Sequence, residues 1–225
     1  MRRLALFDLD HTLLPLDSDY EWGRFLCRKG AVDVAEFQRR NDVFFHQYQA
    51  GTLDPYEYLE FALGNLARFP RAELDVLHQE FMAEVVQPAI LPVALNLLDK
   101  HHQAGDDVAI VTATNRYVTA PIAKALGVQH LLAAEPEQDA AGNITGKLIG
   151  VPSNGEGKIH HVQNWLQQRQ QKLDDFHSVH FYSDSHNDLP LMELVSHPVA
   201  TNPNQRLRAH AEAKGWPVLE LFKHD

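Results

Sequence analysis

At 225 residues the chain is long enough for one large domain, or for a core carrying a smaller insert, and either buries a sizeable apolar core. Hydrophobic residues at 44% and charged residues at 22% match ordinary globular usage and exclude a disordered or low-complexity chain. The formal charge of -10 repels nucleic acid and gives no whole-molecule attraction for phosphorylated ligands, so any phosphate site has to be locally positive.

The first seven residues start like a signal peptide, but Asp8 and Asp10 interrupt the apolar stretch before the ~7–15 residues that an h-region needs. No run of about 18 residues lacks a charge, and the single Cys27 has no internal disulfide partner, so a cytoplasmic protein without membrane contact is expected.

Residues 4–7 form a short apolar, β-compatible run that stops at a polar loop, 8–19. Residues 108–111 repeat the pattern before Thr112, and 179–182 repeat it before Ser183-Asp184-Ser185-His186-Asn187-Asp188. Helix-like segments stand between these runs, which is the layout of a parallel α/β sheet. In such sheets ligands bind beyond the carboxyl ends of the strands, so three loops distant in sequence are expected to converge on one site.

Roughly 90 residues separate the first two runs, far more than the ~10–12 that a crossover requires. The extra content reads as helical: 20–28, 34–48, a start at Asp54-Pro55-Tyr56-Glu57 with capping-box features, and 69–86 with Leu74, Leu77, Phe81 and Val85 on one face. Trp22, Phe25, Phe37, Phe44, Phe45 and Tyr48 either give this insert its own small core or line a ligand pocket. Further on, 131–134 and 144–149 around Gly142-Asn143 suggest a β-hairpin, and 155–171 a helix with Ile159, Val162 and Leu166 inward.

Asp8 and Asp10 stand two apart just after a buried strand, where one carboxylate can serve as nucleophile and the other as acid/base; a polar turn or a cation-binding loop is the alternative. Asp184 and Asp188 add a second pair at another strand end, and oxygen donors from such loops suit Mg²⁺. Thr112 can hold phosphate oxygens or merely cap the next helix. Lys158, in Gly155-Glu156-Gly157-Lys158, opens a helix, a poor place for a cation unless an anion is near; a solvated surface lysine is the other option. That stretch is no P-loop, since Pro152 breaks the spacing and Ile159 follows the lysine. The adjacent pairs His101-His102 and His160-His161 diverge on helices and make zinc a poor fit.

Asp8-Leu9-Asp10-His11-Thr12-Leu13 after the first strand, Thr112 after the second, then Lys158 and Ser183 to Asp188, resemble in order the four motifs of the haloacid dehalogenase superfamily, in its phosphoserine-phosphatase-like branch. The resemblance implies a Rossmann-like parallel sheet core flanked by helices (1–15 and 90–225) with an inserted all-helical type-1 cap (16–89). It implies a Mg²⁺-dependent phosphatase for a small-molecule phosphomonoester, with Asp8 as nucleophile and Asp10 as acid/base. Asp8, the Asp10 carbonyl and Asp184 would hold the metal; Thr112, Lys158 and Asn187 the phosphate; Asp188 would orient Lys158 or a metal-bound water.

Asp17 falls where related phosphoserine phosphatases bind the substrate ammonium. The stretch after Gly51 lacks the serine and arginine that bind the carboxylate, although Arg39, Arg40 or Arg68 would be possible substitutes. An amino-alcohol phosphate such as histidinol phosphate is therefore expected ahead of phosphoserine. A phosphotransferase or phosphomutase on the same phospho-aspartate is the closer rival, a non-catalytic binding protein the more distant one. The oligomeric state has no signature in the sequence.

Overall fold

The computed structural model describes residues 2–222. Its six-stranded sheet is parallel throughout: β1 (Arg3–Phe7), β2 (Asp107–Val111), β3 (His130–Leu132), β6 (Ser178–Ser183), β7 (His197–Thr201) and β8 (Val218–Leu219), in the order β3-β2-β1-β6-β7-β8. From β1 the chain winds outward one way to β3, and from β6 the other way to β8. The direction thus switches between β1 and β6, where α/β sheets open a crevice at their carboxyl edge.

Alternation of side chains sorts the core into two faces. Ala5, Phe7, Val108, Ile110 and Tyr182 point to one side, and Leu4, Leu6, Ala109, Val111, Val179 and Phe181 to the other. The second face is covered by α8 (Glu156–Gln168), α9 (Leu189–Met192) and α10 (Gln205–Lys214) through Val162, Leu166, Leu191, Met192 and Leu207. The first is covered by α6 (Pro92–Gln103) and α7 (Arg116–Ala125), through Leu97, Leu98, Val118 and Ile122, and by part of the insert.

The insert consists of α1 (Ser18–Arg28), α2 (Val34–Ala50), α3 (Pro55–Leu66) and α4 (Arg71–Phe81); a π-helical turn, Met82–Val86, then leads into the short α5 (Gln87–Ala89). Its starts follow side-chain chemistry: Asp17, Asp33 and Asp54 each accept backbone N–H groups as N-caps, and Pro55 occupies the first turn of α3. Trp22, Phe25, Phe37 and Phe81 belong to the same apolar cluster as Ala5 and Phe7. The expectation of a separate small core is thereby corrected, because the aromatic side chains of α1 and α4 run on into the sheet's own face.

The expected hairpin is also corrected in its first half. Leu131 and Leu132 are in β3, paired with Ile110 and Val111 of β2; the hairpin is β4 (Glu135–Gln138) with β5 (Ile144–Ile149). An apolar run suits a strand buried on both faces, whereas the polar Glu-Pro-Glu-Gln sits at a free edge, which tolerates proline. The hairpin lies against α3, where Gly146, at φ +87, brings its backbone so near that a Cβ would stand 3.6 Å from the Gly64 Cα. No single helix among the described residues is long and apolar enough to cross a membrane.

Candidate active site

The loops after β1, β2 and β6 meet at the carboxyl edge of the sheet, with the start of α8. Asp8 is the first residue beyond β1, held by its N–H donating to the Tyr182 carbonyl at 2.9 Å. The Lys158 Nζ donates to Asp8 Oδ1 and to Asp188 Oδ2, both at 2.7 Å, and this lysine is only 2% exposed. The solvated-lysine alternative is therefore excluded: burial opposes the ammonium charge, but Asp188 and Asp8 outweigh it and hold the Lys158 pKa above its ordinary value. Asp188 also accepts from Ser183 Oγ at 2.7 Å.

The start of α8 explains how a cation reaches this spot. Gly157 packs against the Pro152 carbonyl so tightly that a Cβ would lie 2.0 Å from its oxygen. Only glycine permits that approach, which sets Lys158 inward and lets Pro152 and Asn154 line the cleft.

Asp184 lies beside Asp8. Burial, then the charges of Asp8 and Asp188, push its pKa well up. Three buried carboxylates share one ammonium here, a surplus of negative charge that a divalent cation would offset. The carboxylate oxygens gathered here are hard donors, of the kind that suits Mg²⁺. Among the described residues no three His, Cys, Asp or Glu side chains form a metal cage; Mg²⁺ ordinarily uses one or two carboxylates and completes its shell with water and phosphate oxygens.

Asp10 faces the cleft from the same loop. Its Oδ1 accepts from the Ser18 N–H at 2.8 Å and its Oδ2 from Thr114 Oγ1 at 2.9 Å. Burial first, then the nearby Asp17, raises its pKa to about 6, a value at which a carboxyl can give up and take back a proton near neutrality. Thr112 is 1% exposed and lines the cleft with Ala113, Thr114 and Asn187. It does not cap the following helix: Asn115 accepts from Val118 N–H in that role.

Three hydroxyls escaped sequence reasoning. Thr12 accepts from the Asp184 N–H at 3.1 Å and makes a long 3.4 Å contact to Asp8, tying the β1 and β6 loops together. Thr114 and Ser183 hold Asp10 and Asp188. Each lies within two residues of a motif position, which is the only signal that could have flagged it.

The other wall comes from the insert: Asp17, Asp19 and Tyr20 from the start of α1, Asn41, Phe44, Phe45 and Tyr48 from α2, and Tyr58 from α3. Asp17 lines the cleft, but its Oδ1 caps α1, accepting from the Asp19 and Tyr20 N–H groups at 3.0 and 2.9 Å. The expected aromatics divide, with Trp22, Phe25 and Phe37 in the core and Phe44, Phe45 and Tyr48 at the cleft. Tyr48 Oη donates to Ser185 Oγ at 3.0 Å, bridging α2 to the β6 loop.

None of the arginines suggested as carboxylate binders reaches the cleft. Arg39 pairs with Glu36 on the surface, Arg40 lies over the rings of Phe44 and Phe61, and Arg68 is exposed. Lys158 is the only lysine or arginine among the described lining residues.

A parallel sheet with this crevice and these acidic strand ends defines a class, and comparison with known proteins identifies it. The family model for haloacid dehalogenase-like hydrolases matches residues 5–193; the chain belongs to that family, as a phosphoric monoester hydrolase. It is 43% identical over 221 residues to a histidinol-phosphatase of Neisseria meningitidis serogroup C, covering 98% of this chain and 100% of that one. A Bordetella pertussis Tohama I protein of unknown function superposes with a TM-score of 0.94 at 51% identity, covering 99% of this chain and all of the other. A substrate-bound phosphoserine phosphatase shares the fold, with a TM-score of 0.68 at 17% identity over 97% of this chain and 93% of its own.

Proposed function

We propose that the protein is a Mg²⁺-dependent phosphatase for a small phosphomonoester bearing a cationic nitrogen and no carboxylate, histidinol phosphate or a similar amino-alcohol phosphate. The observation that carries this reading is the charge of the cleft. Its far end presents Asp17 and Asp19 among aromatic rings, with no arginine among the described lining residues, and Lys158 is engaged by Asp8 and Asp188. A substrate carboxylate would meet repulsion there without a bidentate partner, whereas an ammonium or imidazolium would be favoured. The kinship with the meningococcal histidinol-phosphatase supports the same substrate.

In this mechanism an Asp8 carboxylate oxygen attacks phosphorus in line as the ester P–O bond breaks, and Asp10 delivers its proton to the departing oxygen. Asp10, now a carboxylate, takes a proton from water as the water oxygen attacks phosphorus. The Asp8–phosphorus bond breaks, and inorganic phosphate leaves. Thr112, Lys158 and Asn187 hold the phosphoryl oxygens, and Asp188 keeps Lys158 charged and aimed. Asp8, the Asp10 carbonyl and Asp184 would hold Mg²⁺, which would supply charge neutralisation for the phosphoryl group. Residues 1–15 and 90–225 act as the catalytic core and 16–89 as a cap that keeps water from the cleft during transfer. A diffusible phosphomonoester as partner, with neither nucleic acid nor membrane, suits a cytoplasmic enzyme.

The test is kcat/KM for histidinol phosphate against phosphoserine under identical Mg²⁺, with free phosphate as the product measured. Preference for histidinol phosphate is expected; preference for phosphoserine overturns the substrate assignment. Phosphate release without any added acceptor separates hydrolysis from a mutase.

A further inference from the structure

We infer that Asp19, held by Tyr58 and accompanied by Asn41, is the specificity-determining receptor for the cationic end of the substrate, in place of Asp17; this rests on the amine-phosphate reading above. Asp19 projects from the first turn of α1 into the cleft and is 9% exposed. Tyr58, from α3, donates its hydroxyl to Asp19 Oδ2, and its ring stands edge-on to Phe44 at 5.4 Å. Asp19 Oδ1 has no hydrogen-bond partner among the described residues. The carboxylate is thus oriented by one neutral hydroxyl, buried without a counter-ion, and left with an oxygen free for a ligand. A buried carboxylate in that condition is costly unless a cation joins it.

Asn41 supplies an independent sign of a ligand. It is 7% exposed and lines the same cleft, yet its amide makes no hydrogen bond to any described residue. With no partner among the described residues, the two donors and the acceptor of this amide are open to whatever occupies the cleft. One turn along α2, Phe44 touches Tyr58, so Asn41, Phe44, Tyr58 and Asp19 form a continuous wall. It offers an anionic oxygen, an aromatic face and a carboxamide, which fits a cationic nitrogen carrying N–H donors with a second polar nitrogen nearby.

Asp17 is less suited to this task, since its Oδ1 is already occupied by two backbone N–H groups as the cap of α1. Asparagine caps a helix about as well as aspartate. Asp17→Asn therefore removes the charge and keeps the cap, which makes the two positions separable.

Wild type, Asp19→Asn, Asp17→Asn and Tyr58→Phe are compared by steady-state kinetics with Mg²⁺ on histidinol phosphate and on propyl phosphate, whose leaving group is neutral. For Asp19→Asn, KM for histidinol phosphate is expected to rise about 10–100-fold, the worth of one charge-assisted hydrogen bond, with kcat changed far less. On propyl phosphate its kcat/KM should change by less than about threefold, because uniform binding of the phosphate end is untouched. Tyr58→Phe should move KM in the same direction by a smaller factor, and it serves as the readout if Asp19→Asn does not fold. Equal losses on both substrates, or loss of the preference in Asp17→Asn but not in Asp19→Asn, overturn the inference while the substrate reading stands. A wild type with no preference for histidinol phosphate over propyl phosphate overturns both.

Discussion

The two ends of the cleft are built on different principles. At the strand ends the charged groups are cross-braced: Lys158 spans Asp8 and Asp188, Ser183 braces Asp188, Thr114 and the Ser18 N–H hold Asp10, and Thr12 joins the β1 and β6 loops. At the insert, Asp19 has a single side-chain partner and Asn41 has none among the described residues. Phosphoryl transfer needs groups fixed before the reaction begins, so the phosphate end is preorganised. Binding of a leaving group needs polar atoms kept free for the ligand, so the insert end is left partly unsatisfied. Substitutions at the two ends should therefore fail in different ways: the first set should lose turnover on every substrate, the second should lose discrimination.

The largest effect is expected at the nucleophile. Asp8→Asn should abolish phosphate release from all phosphomonoesters while the circular dichroism spectrum stays that of the wild type, since shape is preserved and Lys158 retains Asp188. Near-normal turnover in the folded variant would remove Asp8 from the chemistry. Asp10→Asn should lower kcat for an alkyl phosphate by about 10²–10⁴, the range for a positioned acid/base. A loss of only a few-fold would reduce Asp10 to a structural role at the strand end.

Lys158→Met sharpens the comparison from the side of stability. It strands Asp8 and Asp188 in a buried site, a change that should cost about 3–5 kcal/mol, read from urea unfolding without added Mg²⁺. Added Mg²⁺ should recover part of that loss if the carboxylates bind it. An unchanged unfolding midpoint would contradict the buried ion network.

The smallest expected effect has the opposite sign. Burial, opposed by the Tyr58 hydrogen bond and reinforced by Asp10, raises the pKa of Asp19 from 3.8 to about 6. The folded state then holds this proton more tightly than the unfolded chain. The Asp19 contribution is therefore neutral below pH about 4, becomes destabilising as pH rises from about 4, and reaches its full size above about 6. Asp19→Asn should accordingly unfold at higher urea than wild type at pH 8, by up to about 3 kcal/mol, and equally at pH 4. A variant less stable than wild type at pH 8 would mean that the carboxylate is well solvated or paired, and the contrast between the two ends of the cleft would weaken.

What could be read from the chain ahead of the structure was whatever local chemistry dictates. Strands buried on both faces announce themselves as apolar runs, helix starts by Asp54-Pro55 and its like, and reactive loops by acidic residues directly after a strand. That places Asp8, Asp10, Thr112, Asp184 and Asp188 at strand ends, Lys158 at a helix start, and the insert between β1 and β2. The boundary at Leu131 is not legible because a short apolar run looks alike in a parallel-sheet strand and in a hairpin, and only its pairing with β2 distinguishes them.

Tertiary structure alone decided the rest, because burial and partnership are properties of places where distant segments meet. The sequence carries no trace of Arg40 lying over Phe44 and Phe61 instead of entering the cleft. Nor does it show that the aromatics of the insert merge with the core of the sheet, or that Tyr58 reaches Asp19 across 39 positions. The sequence by itself determined where the phosphate chemistry stands, since that chemistry is carried by residues adjacent to strands. Which side chains remain free to recognise the leaving group was decided only when α1, α2 and α3 packed, because a free hydrogen-bonding atom is defined by what its neighbours in space leave undone.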